Sequence, residues 1–77
     1  MSGVVDMLMS EQFNRESAPH STPYKLGARE MLRYQSGEVE KMECPYIEGT
    51  VNSDAYFAGA YEARRIWSGF VKKRGIQ

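Results

Sequence analysis

The 77-residue chain has one cysteine, Cys44, and one histidine, His20. A lone cysteine excludes an intramolecular disulfide, and two Cys/His ligands fall short of the three or four that a structural zinc site uses. Net charge is missing as well, because ten basic and ten acidic side chains cancel. Nucleic-acid binders draw most of their affinity from phosphate neutralisation, so a neutral chain of this size is an unusual one. No apolar run approaches the roughly 20 residues of a membrane span, and no charged stretch precedes an apolar one near Met1. A Gly-rich phosphate loop is absent, as is a Ser/His/Asp set. These absences predict a soluble, cytoplasmic chain that is not an enzyme, with no catalytic residues, no cofactor, no metal and no membrane association.

What remains must fold around a small core. A chain this short buries a modest fraction of its surface and is only marginally stabilised by it. One domain is the upper limit, and a partner or a homodimer would add stability.

The chain is organised around a phrase that it states twice. Residues 27–37 and 59–69 both fit Gly-Ala-x-Glu-x-x-Arg-x-x-Ser-Gly, pairing Gly27 with Gly59, Ala28 with Ala60, Glu30 with Glu62 and Arg33 with Arg65. Ser36-Gly37 and Ser68-Gly69 complete the match. Two copies do not make a solenoid, but they do predict two similar helices.

Taken in order, residues 3–16 place Val4, Val5, Leu8, Met9 and Phe13 on one face of a short amphipathic helix, with Ser2 as its cap. Alone it would be marginal, so it is expected to pack on the rest. Residues 17–22 are a linker rich in Ser, Thr and Pro. Thr22-Pro23 reads as a helix start, with Tyr24, Ala28, Met31, Leu32 and Gln35 on one face and Gly37 as the left-handed stop. Residues 38–52 lack a helical period. Their Val39, Met42, Tyr46, Ile47 and Val51 predict a lid folded over the helices. Asn52 or Ser53 should cap the last helix, whose stripe runs through Tyr56, Gly59, Ala60, Ala63, Ile66, Trp67 and Phe70 before Gly75 ends it. The expected fold is all-α: an α-hairpin core of about 23–36 and 53–73 inside a domain of 23–75, an N-terminal helix within 1–16, and a Cys-Pro-Tyr link packed across the hairpin.

Within that fold Gly27 and Gly59 would let two backbones approach, and Trp67 would seal one side. Glu30 with Arg33, and Glu62 with Arg65, are spaced for pairs on a solvated flank. Cys44 has no neighbouring histidine or basic cluster to activate its thiol, which favours a packing role beside Pro45. His20 sits in the linker. Charge is uneven: Glu38, Glu40, Glu43, Glu48 and Asp54 make the middle acidic, while Arg64, Arg65, Lys72, Lys73 and Arg74 make the end basic. Such a dipole can present either sign to a partner.

Tyr34-Gln35-Ser36-Gly37, the charged run 38–43, Cys44-Pro45-Tyr46 and then residues 56–63 (Tyr-Phe-Ala-Gly-Ala-Tyr-Glu-Ala) follow one another at a telling spacing. Over residues 24–68 this resembles ribosome modulation factor and its small relatives, which carry a Cys-Pro-Tyr link and a Trp-x-x-Gly-Trp-x-x-Ala stretch. The resemblance implies a compact helical protein that binds the small ribosomal subunit at its ribosomal RNA and modulates translation. Its relatives include small plasmid proteins linked to quinolone resistance and phage-borne members. Three features depart from the family: the neutral charge, an N-terminus without a basic arm, and acidic residues around Cys-Pro-Tyr. On this reading Arg29, Arg33, Arg64, Arg65, Lys72, Lys73 and Arg74 would meet phosphates, and Tyr46 or Tyr61 would stack on bases. The alternative is a phage or mobile-element effector that inhibits a host protein, with its acidic middle facing a basic partner.

Overall fold

A computed structural model describes residues 3–13 and 21–74. It contains three helices, α1 (Gly3–Gln12), α2 (Thr22–Gln35) and α3 (Val51–Arg74), with no strand among the described residues. The expected Ser2 cap, residues 14–16 of the first helix, His20, most of the linker and the Gly75 stop lie outside the described residues.

Both long helices begin one to three residues earlier than their sequence signals suggest. Ser21, not Thr22, caps α2: its backbone is extended and its hydroxyl accepts the Tyr24 N–H at 3.4 Å. The helical ladder already starts there, since the Lys25 N–H donates to the Ser21 carbonyl at 3.0 Å. Pro23 therefore sits in the first turn, where its missing N–H costs nothing. Thr50, not Asn52 or Ser53, caps α3. Its hydroxyl accepts the Ser53 N–H at 3.2 Å and donates to the Ile47 carbonyl at 2.6 Å. Gly49, at a φ of +88°, turns the chain into that position.

Gly37 ends α2 as its φ of +89° requires. Its N–H donates to Tyr34 O at 3.2 Å and the Glu38 N–H to Arg33 O at 2.8 Å, the paired bonds of a Schellman stop. The equivalent Gly69 stops nothing. It lies inside α3 with right-handed backbone and no neighbour within 4 Å of a would-be Cβ.

The hairpin is built on an exchange between the two copies of the phrase. A Cβ on Gly27 would land on the Tyr56 carbonyl oxygen, 2.7 Å from its carbon. A Cβ on Gly59 would land on the Tyr24 carbonyl oxygen, 2.8 Å from its carbon. Each glycine thus lies on the backbone of the tyrosine three residues before the other glycine. The repeat accordingly begins earlier than Gly27 and Gly59: Ser21-x-x-Tyr24-x-x-Gly27 matches Ser53-x-x-Tyr56-x-x-Gly59. The two helices run antiparallel at this crossing, in a local two-fold arrangement. Glycine in a helix costs about 1 kcal/mol against alanine, and the backbone contact offsets it.

Ala28, Leu32, Tyr56, Ala60 and Ala63 are buried around the crossing. α1 closes the core as expected. Its Val5, Leu8 and Met9, with Phe13 just beyond, are buried in one cluster with Ala28, Leu32 and Ala63, and Ile66, Trp67 and Phe70 pack against it. Asp6 adds an exposed ion pair to Arg29 at 3.4 Å, worth little beside that burial.

The link covers the hairpin at fewer points than its apolar residues suggest. The Tyr46 ring meets Tyr56 edge-on at a centroid separation of 6.2 Å, and the Tyr56 hydroxyl donates to the Glu43 carbonyl at 3.4 Å. Ile47 and Val51, expected under the lid, are instead 79% and 82% exposed. The physical reason is that Gly49 and the Thr50 cap turn the chain at that point, carrying both side chains outward. Pro45 is exposed as well, and Cys44 is half-buried with its thiol 3.8 Å from the Tyr46 carbonyl.

Candidate functional site

The repeated residues do scaffold work with a symmetric electrostatic layout. Burial raises the pKa of the Tyr24 hydroxyl, and the charge of Glu62 raises it further. Burial likewise raises that of Tyr56, with Glu30, Cys44 and Tyr46 adding to it. So the charge of each copy's glutamate acts on the other copy's tyrosine. A tyrosine held protonated above its usual 10.0 contributes stability that is complete below pH 10 and lost as pH rises through the folded value. Denaturant midpoints should therefore fall above pH 10, and Tyr56→Phe should flatten that decline. A Tyr56→Phe slope identical to the parent's would contradict the assignment.

Of the arginines and lysines expected to meet phosphates, three are already engaged. Arg29 pairs with Asp6. Arg33 pairs with Glu30 at 3.0 Å and Glu38 at 3.5 Å, and its pKa is raised chiefly by the hydrogen bond to Glu30. Arg65 pairs with Glu62 at 3.5 Å. Arg64, Lys72 and Lys73 are exposed, with no ion pair within 4 Å among the described residues. Arg74 closes α3, and its side chain lies outside the described residues.

These residues do not form one patch. Counted from the level where Gly27 meets Tyr56, Arg33 lies six residues along α2 and Arg65 nine along α3. The helices are antiparallel, so at 1.5 Å per residue the two are separated by roughly 20 Å along the bundle. Tyr46 is half-buried, its ring edge-on to that of Tyr56. Trp67 is half-buried, its ring centroid 5.5 Å from that of Phe70.

One group does come together, on the face of α3 turned away from the core. Tyr61 is 67% exposed there and Phe57, one turn before it, is 55% exposed. Arg64 and Arg65 follow one turn later, and Lys72 continues the same face two turns beyond. Phe57 is the member that sequence reasoning missed. Its signal was positional: it falls four residues before Tyr61, outside the stripe of Tyr56, Ala60 and Ala63.

At the acidic end, a shallow groove of about 280 Å³ is lined by Cys44, Tyr46, Glu48, Ser53 and Phe57. Among the described residues, no group of three or more His, Cys, Asp or Glu is placed to hold a metal ion. No helix there is long and apolar enough to cross a membrane. No protein-family model, curated protein or solved structure matches the chain.

Proposed function

We propose that this is a small non-enzymatic binding protein that engages ribosomal RNA through the outward face of α3, modulating translation as ribosome modulation factor does. The observation that carries this reading is the run of two exposed aromatics, Phe57 and Tyr61, followed by Arg64, Arg65 and Lys72 on one helix face. Rings can stack on unpaired bases while cations one turn away neutralise the flanking phosphates. Neutral overall charge is compatible with this, because Glu38, Glu40, Glu43, Glu48 and Asp54 precede the face in sequence while Arg64, Arg65 and Lys72 lie in the second half of α3. The Cys-Pro-Tyr link and its spacing support the same scaffold.

Sucrose-gradient sedimentation of a cell lysate tests the reading. The protein should travel with the small subunit at low salt and be displaced as salt rises. Loss of a stacked ring costs about 1–3 kcal/mol, so Tyr61→Ala should weaken the association by roughly five- to 150-fold. A protein that stays at the top of the gradient at low and moderate salt alike is not a ribosome binder.

A second reading, inhibition of a host protein, is favoured by a different observation. Ile47 and Val51 project beside Glu48 and Asp54, an apolar and acidic surface suited to a basic protein partner. Affinity capture followed by mass spectrometry would support it by enriching one protein, with that enrichment abolished in Ile47→Lys.

A further inference from the structure

The outward face of α3 has a second property that RNA binding does not require. Val51, Asp54, Ala58, Tyr61, Arg65, Ser68 and Lys72 follow one another at alternating spacings of three and four, which sets them in one line along the helix, and all are exposed. Along this line the charge changes sign, from Asp54 near the start of the helix to Arg65 and Lys72 towards its end. We propose that this face pairs with the same face of a second copy, antiparallel, about a two-fold axis at the level of Ala63.

That register is selected by the residues themselves. It sets Asp54 opposite Lys72 of the second copy, Tyr61 opposite Arg65, and Ala58 opposite Ser68, each pairing occurring twice by symmetry. The ion pair joins opposite ends of the two charge gradients. The tyrosine ring receives a guanidinium on its face. Ala58 and Ser68 are small enough to let the helices close between these contacts, and Phe57 lies at the margin to be covered. A parallel pairing would instead place Asp54 on Asp54 and Lys72 on Lys72, and like charges repel. Antiparallel packing also opposes the two helix dipoles. Tyr61, exposed in the single chain, becomes the centre of the contact. The pairing does not depend on what else the face binds. It does cover Tyr61 and Arg65 of both copies, so self-association and RNA binding at this face exclude one another.

Sedimentation equilibrium of the full chain provides the test. Twice the monomer mass is expected at low salt and high protein concentration, with dissociation as salt is added. Asp54→Lys and Lys72→Asp should each weaken association about tenfold, since each converts two attractive pairs into repulsive ones. The combined Asp54→Lys/Lys72→Asp protein should recover most of that loss. Tyr61→Ala should give monomer with an unchanged far-UV spectrum. A wild-type chain that remains monomeric at about 1 mM in low salt overturns the proposal. So does a double variant no tighter than the single ones. Neither outcome depends on gradients run with ribosomes, so the two readings stand or fall separately.

Discussion

Gly27→Ala, the addition of one methyl group, is expected to remove more than about half of the stability of this domain, and Gly59→Ala to do the same. The new Cβ would fall on a backbone carbonyl, that of Tyr56 or Tyr24. A side chain in that place could change rotamer, whereas a helix backbone can yield only by moving the whole helix. Overpacking normally costs 1–3 kcal/mol, and this case belongs at about 3 kcal/mol or above because nothing local can give. A domain of this size holds only about 5 kcal/mol in all. Gly69→Ala is the internal control. It too is a helical glycine, but nothing lies within 4 Å of its added carbon. Relief of the glycine penalty should raise stability by up to about 1 kcal/mol. Circular dichroism melts of the three variants decide the matter, and unchanged melting temperatures for Gly27→Ala and Gly59→Ala would remove the close crossing from the account.

Phe13→Ala is the second large effect. Phe13 is 1% exposed, packed beside Tyr24 at a ring-centroid distance of 6.1 Å. Removing such a ring from a core typically costs 3–5 kcal/mol, comparable to the whole stability available. Urea unfolding should show a midpoint near zero denaturant or no folded baseline at all. A loss under about 1 kcal/mol would mean that α1 is an accessory to the hairpin and not part of its core.

The helical hairpin was legible because its signals are local and redundant. Thr22-Pro23, glycine at 37 and apolar residues at helical spacing each speak for the same boundaries to within a few residues, whereas the Thr50 cap went unread in favour of Asn52 or Ser53. The close crossing was legible in part. Matched glycines announced it, but the partners they rest on, Tyr24 and Tyr56, became recognisable only once the helices were superposed through it. Extending the comparison of the two copies three residues upstream would have shown the tyrosines. The link was misread for a physical reason. Apolar character in Ile47 and Val51 states a preference for burial without specifying a surface, and the turn through Gly49 and Thr50 carries both side chains outward. For the binding face, residue type alone could not separate free cations from engaged ones. Arg33 and Arg65 occupy equivalent places in the phrase, yet Arg33 has Glu38 as a second partner, because the Gly37 turn brings that carboxylate back to it.

The crossing also shapes how the chain must fold. Its two contacts join positions about thirty residues apart, and both glycines must reach their carbonyls before any side chain around them is well packed. Neither helix gains much from forming early by itself, so the search ends in a single concerted docking step. The α1 cluster requires the surface that this step creates. α1 should therefore add late, reporting on the rate of unfolding and hardly at all on the rate of folding.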